Sequence, residues 1–312
     1  MPGFIPLSQD IYCLDAFYIR EQVACIYLLK QGDEVAIIET GTSHSLGNVL
    51  DTLVQLGIAK SQVKYVIPTH VHLDHAGGAS EMMKQFSQAS LIIHPRGVRH
   101  MVNPDKLIAG SIEVYGENKF NQLYGDIHPI PEHRILVAND LDRFHLGSRE
   151  LLFIDTPGHA RHHFCIYDEH SEGMFTGDTF GISYASMKSL CRGLIPTTPP
   201  VQVDPEALHQ SIDRIMSYHP QKLYLTHYGE YPDPARQVAS FKTWIDEYVG
   251  LCRQVKPDEN GSEPVLEQAL AEWVMTQLSD SNNLEELGRV LKIDMMLNAQ
   301  GLTHWWRTTQ DG

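Results

Sequence analysis

Short apolar runs separated by turn residues fill the first part of the chain, and they predict strands. Residues 10–15, 23–30 and 34–39 each form such a run, and Gln31-Gly32-Asp33 is the turn between the last two. We therefore expect an antiparallel meander of three strands. Between residues 44 and 57 the apolar positions recur at helical spacing instead, which predicts a helix that ends at Gly57.

Strand and helix patterns continue up to residue 227, after which only helical patterns follow. The further predicted strands are 65–67, 90–93, 150–155, 163–168, 173–176 and 222–226. The further predicted helices cover 78–87 and a stretch near 105–123. Another helix is expected to begin after Asp204, because aspartate caps helices and Pro205 suits the first helical position. No strand is expected beyond His227.

A chain of 312 residues has the length of roughly two domains or one large one. We expect a first domain over residues 1–234, with a variable insertion or lid at 95–145, and a helical C-terminal region over 235–312. Hydrophobic residues make up 42% of the chain and charged residues 20%. That composition is typical of a globular protein with a sizeable core, and it excludes collagen, coiled coil and wholesale disorder.

The charge balance narrows the expected partners. Lys and Arg total 24 and Asp and Glu total 39, so the net charge is −15. Such a chain repels phosphate, and we expect neither nucleic acid nor a membrane as its partner. It has no apolar run of transmembrane length and no signal-peptide pattern at its start. The five cysteines are scattered, which favours reduced thiols and a cytoplasmic location.

Histidine is the unusual residue, with 17 in the chain. Four ligand-type side chains directly follow the predicted strand 65–67, in the motif His70-x-His72-x-Asp74-His75. Alternate side chains of an extended segment point to the same side, so His70 and His72 leave the strand together. Burying three imidazoles and a carboxylate without a partner costs several kcal/mol. The cluster therefore predicts a metal site rather than core packing.

Three more candidate ligands follow predicted strands later in the chain. They are His159 in Thr156-Pro157-Gly158-His159, Asp178 after Gly177, and His227. One histidine after a strand is weak evidence, but four such positions at one edge favour a metal site. The complete candidate set is His70, His72, Asp74, His75, His159, Asp178 and His227. Seven nitrogen and oxygen ligands suit two metal ions, with zinc favoured and iron or manganese as alternatives.

In this order the motifs resemble those of the metallo-β-lactamase superfamily, over about residues 10–230. The resemblance includes Ala76-Gly77-Gly78 after the histidine motif, and Gly177-Asp178. It implies an α/β fold, namely a four-layer αββα sandwich with a C-terminal helical extension. It also implies a two-metal site at one edge of the two sheets.

The resemblance also implies a role for each candidate ligand. His70, His72 and His159 hold the first metal, Asp74, His75 and His227 hold the second, and Asp178 bridges the two. A carboxylate at position 178 is similar to glyoxalase II and to acyl-homoserine-lactone lactonases. The β-lactamases of the superfamily carry Cys or Ser there, so β-lactam hydrolysis is disfavoured.

The branch implied is a dinuclear metal-dependent hydrolase acting on a small thioester or lactone. In that mechanism a metal-bound hydroxide attacks the acyl carbon. Asp74 and Asp178 are the catalytic residues, because Asp74 helps to orient the hydroxide and Asp178 fixes the metal separation. Two alternatives remain open: a phosphodiesterase on the same site, and a metal-bearing regulatory or binding protein with vestigial hydrolase activity.

Other residues are candidates for supporting the ligands or contacting substrate. Glu39 lies where members of the superfamily often carry an acid, and it could orient a ligand imidazole. Tyr184, six residues after Asp178, resembles in placement the tyrosines that some branches use on the carbonyl oxygen.

Substrate specificity is expected to lie in the 95–145 insertion and in the helical tail. Tyr115, Phe120 and Tyr124 could line a pocket there, although their helical spacing favours core packing. The apolar sequence from Leu291 to Leu302 suits internal packing or a contact between two copies, so a homodimer is an alternative to a monomer.

Overall fold

The computed structural model describes residues 3–187, 193–199, 201–257, 262–278 and 283–310. By their contacts the residues divide into two compact units. The first unit comprises Met1–Asp155, His162–Gly177 and Pro220–Pro232, and the second comprises Thr156–Arg161, Asp178–His219 and Asp233–Gly312. The division into a first domain over residues 1–234 and a helical C-terminal region over 235–312 stays a prediction.

A seven-stranded mixed sheet forms in the first unit, with its strands side by side in chain order. They are β1 (Phe4–Pro6), β2 (Ile11–Asp15), β3 (Cys25–Gln31), β4 (Glu34–Ile38), β5 (Val63–Ile67), β6 (Ser90–Ile93) and β7 (Ile135–Val137). The pairs from β1 to β4 are antiparallel, which confirms the predicted meander, and those from β4 to β7 are parallel. Parallel pairing brings the carboxyl ends of β4 and β5 to the same edge of the sheet.

A second sheet of six strands has the order β13-β12-β11-β10-β9-β8. Its strands are β8 (Arg143–Leu146), β9 (Arg149–Asp155), β10 (Phe164–Asp168), β11 (Gly173–Ile182), β12 (Lys222–His227) and β13 (Gly229–Pro232). Within the first unit the two sheets face each other through aromatic residues. Tyr27 of β3 lies 5.2 Å from the ring of Phe175 and 5.5 Å from that of Tyr224, and its hydroxyl donates to the Leu225 carbonyl at 2.6 Å.

The helices, in chain order, are α1 (Leu46–Gln55), α2 (Leu73–Ala76), α3 (Ala79–Gln85), α4 (Val98–Val102), α5 (Asp105–Tyr115), α6 (Glu117–Tyr124), α7 (Pro205–Met216), α8 (Val238–Val255), α9 (Glu263–Gln277) and α10 (Leu284–Gln310). Asp204 caps α7 as expected, because its carboxylate accepts from the Ala207 amide at 3.1 Å. The fold class is confirmed: two sheets with helices, followed by C-terminal helices. Among the described helices, none has both the length and the apolar character needed to cross a bilayer.

Three local predictions were wrong. The helix expected near 105–123 is broken into α5 and α6 by Gly116, whose φ of 78° interrupts helical geometry. A strand does follow His227, because the short edge strand β13 pairs with β12. Strand β11 continues to Ile182, so Asp178 lies inside a strand and not after one.

Gly177 explains the apparent end of that strand in the sequence. Its φ is 47°, and a Cβ atom there would overlap the side chains of Thr69 and His163. A glycine is therefore needed for close approach within the strand, rather than for a turn that ends it.

Candidate metal centre

Glu39 is a buried carboxylate that accepts several hydrogen bonds in the part of the candidate site that lies in the first unit. It directly follows β4 and is 1% exposed. Its Oε1 atom accepts hydrogen bonds from the Thr69 hydroxyl at 2.6 Å, the Thr226 hydroxyl at 2.9 Å and His75 Nδ1 at 3.0 Å. Its Oε2 atom accepts from the Thr69 amide at 3.1 Å. One carboxylate therefore ties together the ends of β4, β5 and β12, and so joins the edges of both sheets.

The acceptors around three imidazoles determine which ring nitrogen carries the proton. His75 donates from Nδ1 to Glu39, and His227 Nδ1 lies 2.8 Å from the Val23 carbonyl, which can only accept. His70 Nδ1 lies 3.1 Å from the Thr69 hydroxyl. Because that hydroxyl gives its one proton to Glu39, its oxygen accepts from His70. In all three rings Nε2 therefore carries a lone pair, which is the form that binds a metal.

Two of these nitrogens meet the carboxylate of Asp74. Asp74 Oδ2 lies 3.4 Å from His227 Nε2 and 3.6 Å from His75 Nε2. Two ligands on a tetrahedral metal with bonds of about 2.0–2.1 Å are themselves separated by about 3.3–3.4 Å. The spacing of Asp74 from His75 and His227 is close to this value, and the three residues form one of the groups able to hold a metal ion.

His70 and His72 form the adjoining part of the same edge. His70 Nε2 lies 2.8 Å from His72 Nδ1, with the two rings at an interplanar angle of 75°. Because His70 Nε2 carries a lone pair, it accepts a hydrogen bond, and the proton between the two nitrogens belongs to His72 Nδ1. A metal bound there would displace that proton, as metal binding to imidazole generally does.

The second unit contains the remaining two candidate ligands, His159 and Asp178. Both are buried, and His159 Nε2 lies 3.3 Å from Asp178 Oδ2. The segment before His159 is fixed by the start of α7. The Pro157 carbonyl accepts from the Ser211 hydroxyl at 2.6 Å, and the Gly158 carbonyl accepts from the Asp204 amide at 2.8 Å.

His159 is supported on its other side by a loop that α10 holds. Its Nδ1 atom lies 3.4 Å from the Thr197 hydroxyl, which can donate or accept. The neighbouring Thr198 amide donates to the side-chain oxygen of Asn298 at 2.6 Å. The Asn298 amide in turn donates to the Pro196 carbonyl at 3.2 Å. Asn298, a buried residue of the C-terminal helix, thus holds the loop that faces His159 through two hydrogen bonds.

Tyr184 contacts the last helix of the chain. Its hydroxyl donates to Asp294 of α10 at 2.8 Å, and its side chain is buried. A contact between Tyr184 and a substrate carbonyl stays a prediction.

Four supporting residues were missed by the sequence analysis: Thr69, Thr226, Val23 and Thr197. Two of them left a signal, because a threonine directly precedes a candidate ligand in both Thr69-His70 and Thr226-His227. Both hydroxyls donate to the same oxygen of Glu39. The Val23 carbonyl and the Thr197 hydroxyl left none, since their contacts depend on tertiary structure.

The order and geometry of these residues match a known family. The sequence profile of the metallo-beta-lactamase superfamily matches residues 20–227. The chain belongs to this superfamily. Its imidazole nitrogens and carboxylate oxygens are the donor set that divalent transition metals prefer. The chain is therefore a member of a superfamily of metallo-hydrolases.

Sequence relatives within the superfamily include proteins of different names. The metallo-beta-lactamase fold-containing protein ST1585 of Sulfurisphaera tokodaii is 26% identical over 67% of this chain and 74% of its own length. A hydroxyacylglutathione hydrolase of Pelagibacter ubique is 31% identical over 38% of this chain and 36% of its own. Human acyl-coenzyme A thioesterase MBLAC2 is 23% identical over 55% of this chain and 64% of its own.

The crystal structure of ST1585 shows that the likeness extends beyond the matched sequence. It superposes with a TM-score of 0.64 at 21% identity and covers 95% of this chain and 99% of its own. That likeness includes the helices that follow the superfamily match. At this identity it concerns the fold alone.

Proposed function

We propose that the chain is a dinuclear metal-dependent hydrolase that cleaves a small thioester or lactone at its acyl carbon. In this proposal the seven candidate ligands act together. His70, His72 and His159 hold one metal, Asp74, His75 and His227 hold the other, and Asp178 bridges them. The observation that carries the proposal is the fixed Nε2 lone pair of His70, His75 and His227 beside the Asp74 carboxylate.

The chain's own residues do the positioning. Glu39 and the Val23 carbonyl hold His75 and His227 in the metal-binding tautomer, so no proton has to move between ring nitrogens when a metal arrives. Asp74, whose side chain is 21% exposed, is the ligand that can also reach a water molecule and orient it. Bound divalent ions would supply Lewis acidity, lowering the pKa of a water molecule towards neutrality and polarising the acyl carbonyl.

Three observations favour an acyl substrate over a phosphodiester. Position 178 is a carboxylate, as in the thioesterase and lactonase branches. The net charge of −15 opposes the approach of phosphate polymers. The relatives named above include a hydroxyacylglutathione hydrolase and an acyl-coenzyme A thioesterase. The proposed partner is therefore a small acyl compound, and zinc is the proposed metal, with iron and manganese as alternatives.

The test is a substrate panel on protein of measured metal content. We expect close to two equivalents of transition metal per chain after reconstitution. We also expect kcat/KM for thioesters or lactones to exceed that for phosphodiesters and β-lactams by at least about 100-fold, or about 2.7 kcal/mol in the transition state.

Two controls make the panel decisive. The exposed His145→Ala variant should retain wild-type metal content and turnover, because His145 lies in the edge strand β8 and its side chain is 63% exposed. Chelator should abolish turnover. Faster hydrolysis of bis-p-nitrophenyl phosphate than of every acyl substrate would establish the phosphodiesterase alternative. Full metal content without turnover of any substrate would favour the regulatory alternative.

A further inference from the structure

The second unit contains a cavity lined by residues of α8, of the end of α9 and of the loop 193–199, and we call it the α8 cavity. Its volume is about 250 Å³. Its apolar wall is formed by Leu194, Ile195, Phe241 and Trp244, of which the first three are buried. An apolar cavity of about 150 Å³ is large enough to hold benzene. The α8 cavity therefore has room for a substituted benzene ring.

The polar groups of the α8 cavity are neutral. They belong to Gln237, Ser240 and Gln277, and among the described residues that line the cavity none is charged. An ion would lose its hydration there without gaining a charged partner, which is unfavourable. Amide and hydroxyl side chains both donate and accept hydrogen bonds. Together with the rings of Phe241 and Trp244, these groups suit a flat neutral ligand that carries an amide.

Two contacts connect the wall of the α8 cavity with the strand that contains Asp178. The ring of Phe241 stacks on that of Phe180 in β11, with centroids 5.6 Å apart and an interplanar angle of 18°. The main chain of Ile195 pairs with that of Ile182 through two hydrogen bonds of 2.9 and 3.0 Å. Phe180 and Ile182 closely follow Asp178 in the same strand. A change in the packing of the cavity wall therefore acts directly on the segment that carries this candidate ligand.

A third connection leads from the cavity to His159. Two residues after Ile195, the Thr197 hydroxyl lies 3.4 Å from His159 Nδ1, which is longer than the usual hydrogen bond. A ligand that packs against Leu194 and Ile195 would restrict the motion of this loop. Metal binding at His159 would then have less of the loop to order, so occupancy of the cavity should favour it.

We propose that the α8 cavity is an effector site that binds a small neutral aromatic amide and thereby strengthens metal binding at His159 and Asp178. This inference rests on the proposed function only in taking these two residues as metal ligands, since the effector would also bind the metal-free protein. By linkage, bound metal must strengthen binding of the effector by the same factor.

The experiment compares two probes of equal size, phenylacetamide and phenylacetate. Ligand-observed NMR on the full chain after removal of metal measures their binding. We expect phenylacetamide to bind with a Kd of about 1 mM or lower, and phenylacetate to bind at least about 10-fold more weakly. Saturating phenylacetamide should raise the zinc affinity of one metal equivalent about 5-fold, measured by competition with a chromophoric chelator.

Two variants of α8 test where the probe binds. Ser240→Phe adds a ring that fills part of the cavity from an exposed position, so the fold should be retained. This variant should bind phenylacetamide at least about 10-fold more weakly, and its zinc affinity should no longer respond to the probe. The matched control is Ala239→Phe, which adds the same ring at an exposed position outside the lining of the cavity. It should keep the wild-type Kd and the wild-type response.

The outcomes distinguish the effector site from the proposed function. Phenylacetamide binding that strengthens zinc binding, and that is lost in Ser240→Phe but kept in Ala239→Phe, supports the effector site. No binding, equal affinity for the two probes, or binding without a change in zinc affinity overturns it and leaves the proposed function standing. Undiminished binding in Ser240→Phe also overturns it, because the probe would then bind elsewhere. Failure of the protein to bind zinc, with or without the probe, overturns the proposed function and the effector role with it.

Discussion

The candidate ligands of the two units are supported in different ways. In the first unit His75 and His227 donate to acceptors that can only accept, a carboxylate and a main-chain carbonyl. In the second unit His159 faces a threonine hydroxyl at 3.4 Å, which fixes neither its tautomer nor its ring firmly. The loop that carries this threonine is held by Asn298, which accepts from the amide of the next residue, Thr198, 100 positions earlier in the chain. One ligand set is therefore preorganised by its immediate neighbours and the other by a helix.

This difference predicts that the two metal positions respond differently to substitution. A ligand fixed by a direct hydrogen bond should lose affinity when its acceptor changes, since such partners typically contribute 10–100-fold to metal affinity. A ligand supported through a loop should respond to changes in the helix that holds the loop. The substitutions below separate these cases.

The largest effect is expected for Asp178→Ala, because the proposed bridge contacts both metals. We expect kcat/KM to fall by at least about 1000-fold, or about 4 kcal/mol in the transition state. Metal content should fall below two equivalents, while the circular dichroism spectrum stays that of wild type. Wild-type turnover at saturating substrate would contradict the bridging role.

The next largest effect is expected for Glu39→Gln in the first unit. The amide places a donor where the carboxylate accepts from Thr69, Thr226 and His75, so His75 loses its fixed orientation. We expect zinc affinity to fall about 10–100-fold, measured by competition with a chromophoric chelator. The matched control is Glu34→Gln, whose carboxylate pairs with Lys64. Equal affinities in Glu39→Gln and wild type would show that the hydrogen bond to His75 is dispensable.

A smaller and selective effect is expected for Asn298→Ala in the second unit. It removes the acceptor of the Thr198 amide and the donor to the Pro196 carbonyl, which costs about 1–3 kcal/mol of unfolding free energy. One of the two metal equivalents should dissociate more readily, with the other retained. Isothermal titration of the metal-free protein measures both sites. The exposed Gln268→Ala in α9 serves as control, and equal weakening of both sites would argue against separate support.

The sequence predicts the fold better than it predicts this support. Buried strands such as β3 and β6 contain short continuous apolar runs, and their length and the residues that flank them make them recognisable in the sequence. Edge strands of three or four residues, such as β1 and β13, contain too few positions to show a period. Asp178 was predicted to follow a strand because a glycine such as Gly177 commonly marks the end of one. In the structure the glycine is required at this position because Thr69 and His163 leave no room for a Cβ atom.

The same contrast applies within the candidate site. The ligand candidates could be identified because four ligand-type side chains lie within six residues, from His70 to His75, and further ones follow other predicted strands. Thr69 and Thr226 could not, because threonine is an ordinary strand residue. The supporting role of Asn298 could not be predicted from the sequence, since it depends on a hydrogen bond to a loop 100 positions earlier in the chain.

The smallest effect concerns alkaline pH and compares one buried tyrosine from each unit. Burial raises the pKa of Tyr224, in the first unit, to about 12, and it raises the pKa of Tyr248, in the second unit, well above its ordinary value of 10.0. Each phenol therefore contributes stability that is complete below pH 10. That stability is lost as pH rises towards the folded-state pKa, because the unfolded chain releases its proton first. Between pH 9 and 11 the loss is about 1.4 kcal/mol for each tyrosine.

Urea unfolding should show Tyr224→Phe and Tyr248→Phe losing less stability than wild type over this range. Above pH 12 the benefit should level off for Tyr224→Phe and continue to grow for Tyr248→Phe. A difference in unfolding free energy between each variant and wild type that stays constant from pH 9 to 11 would contradict the raised pKa of that tyrosine.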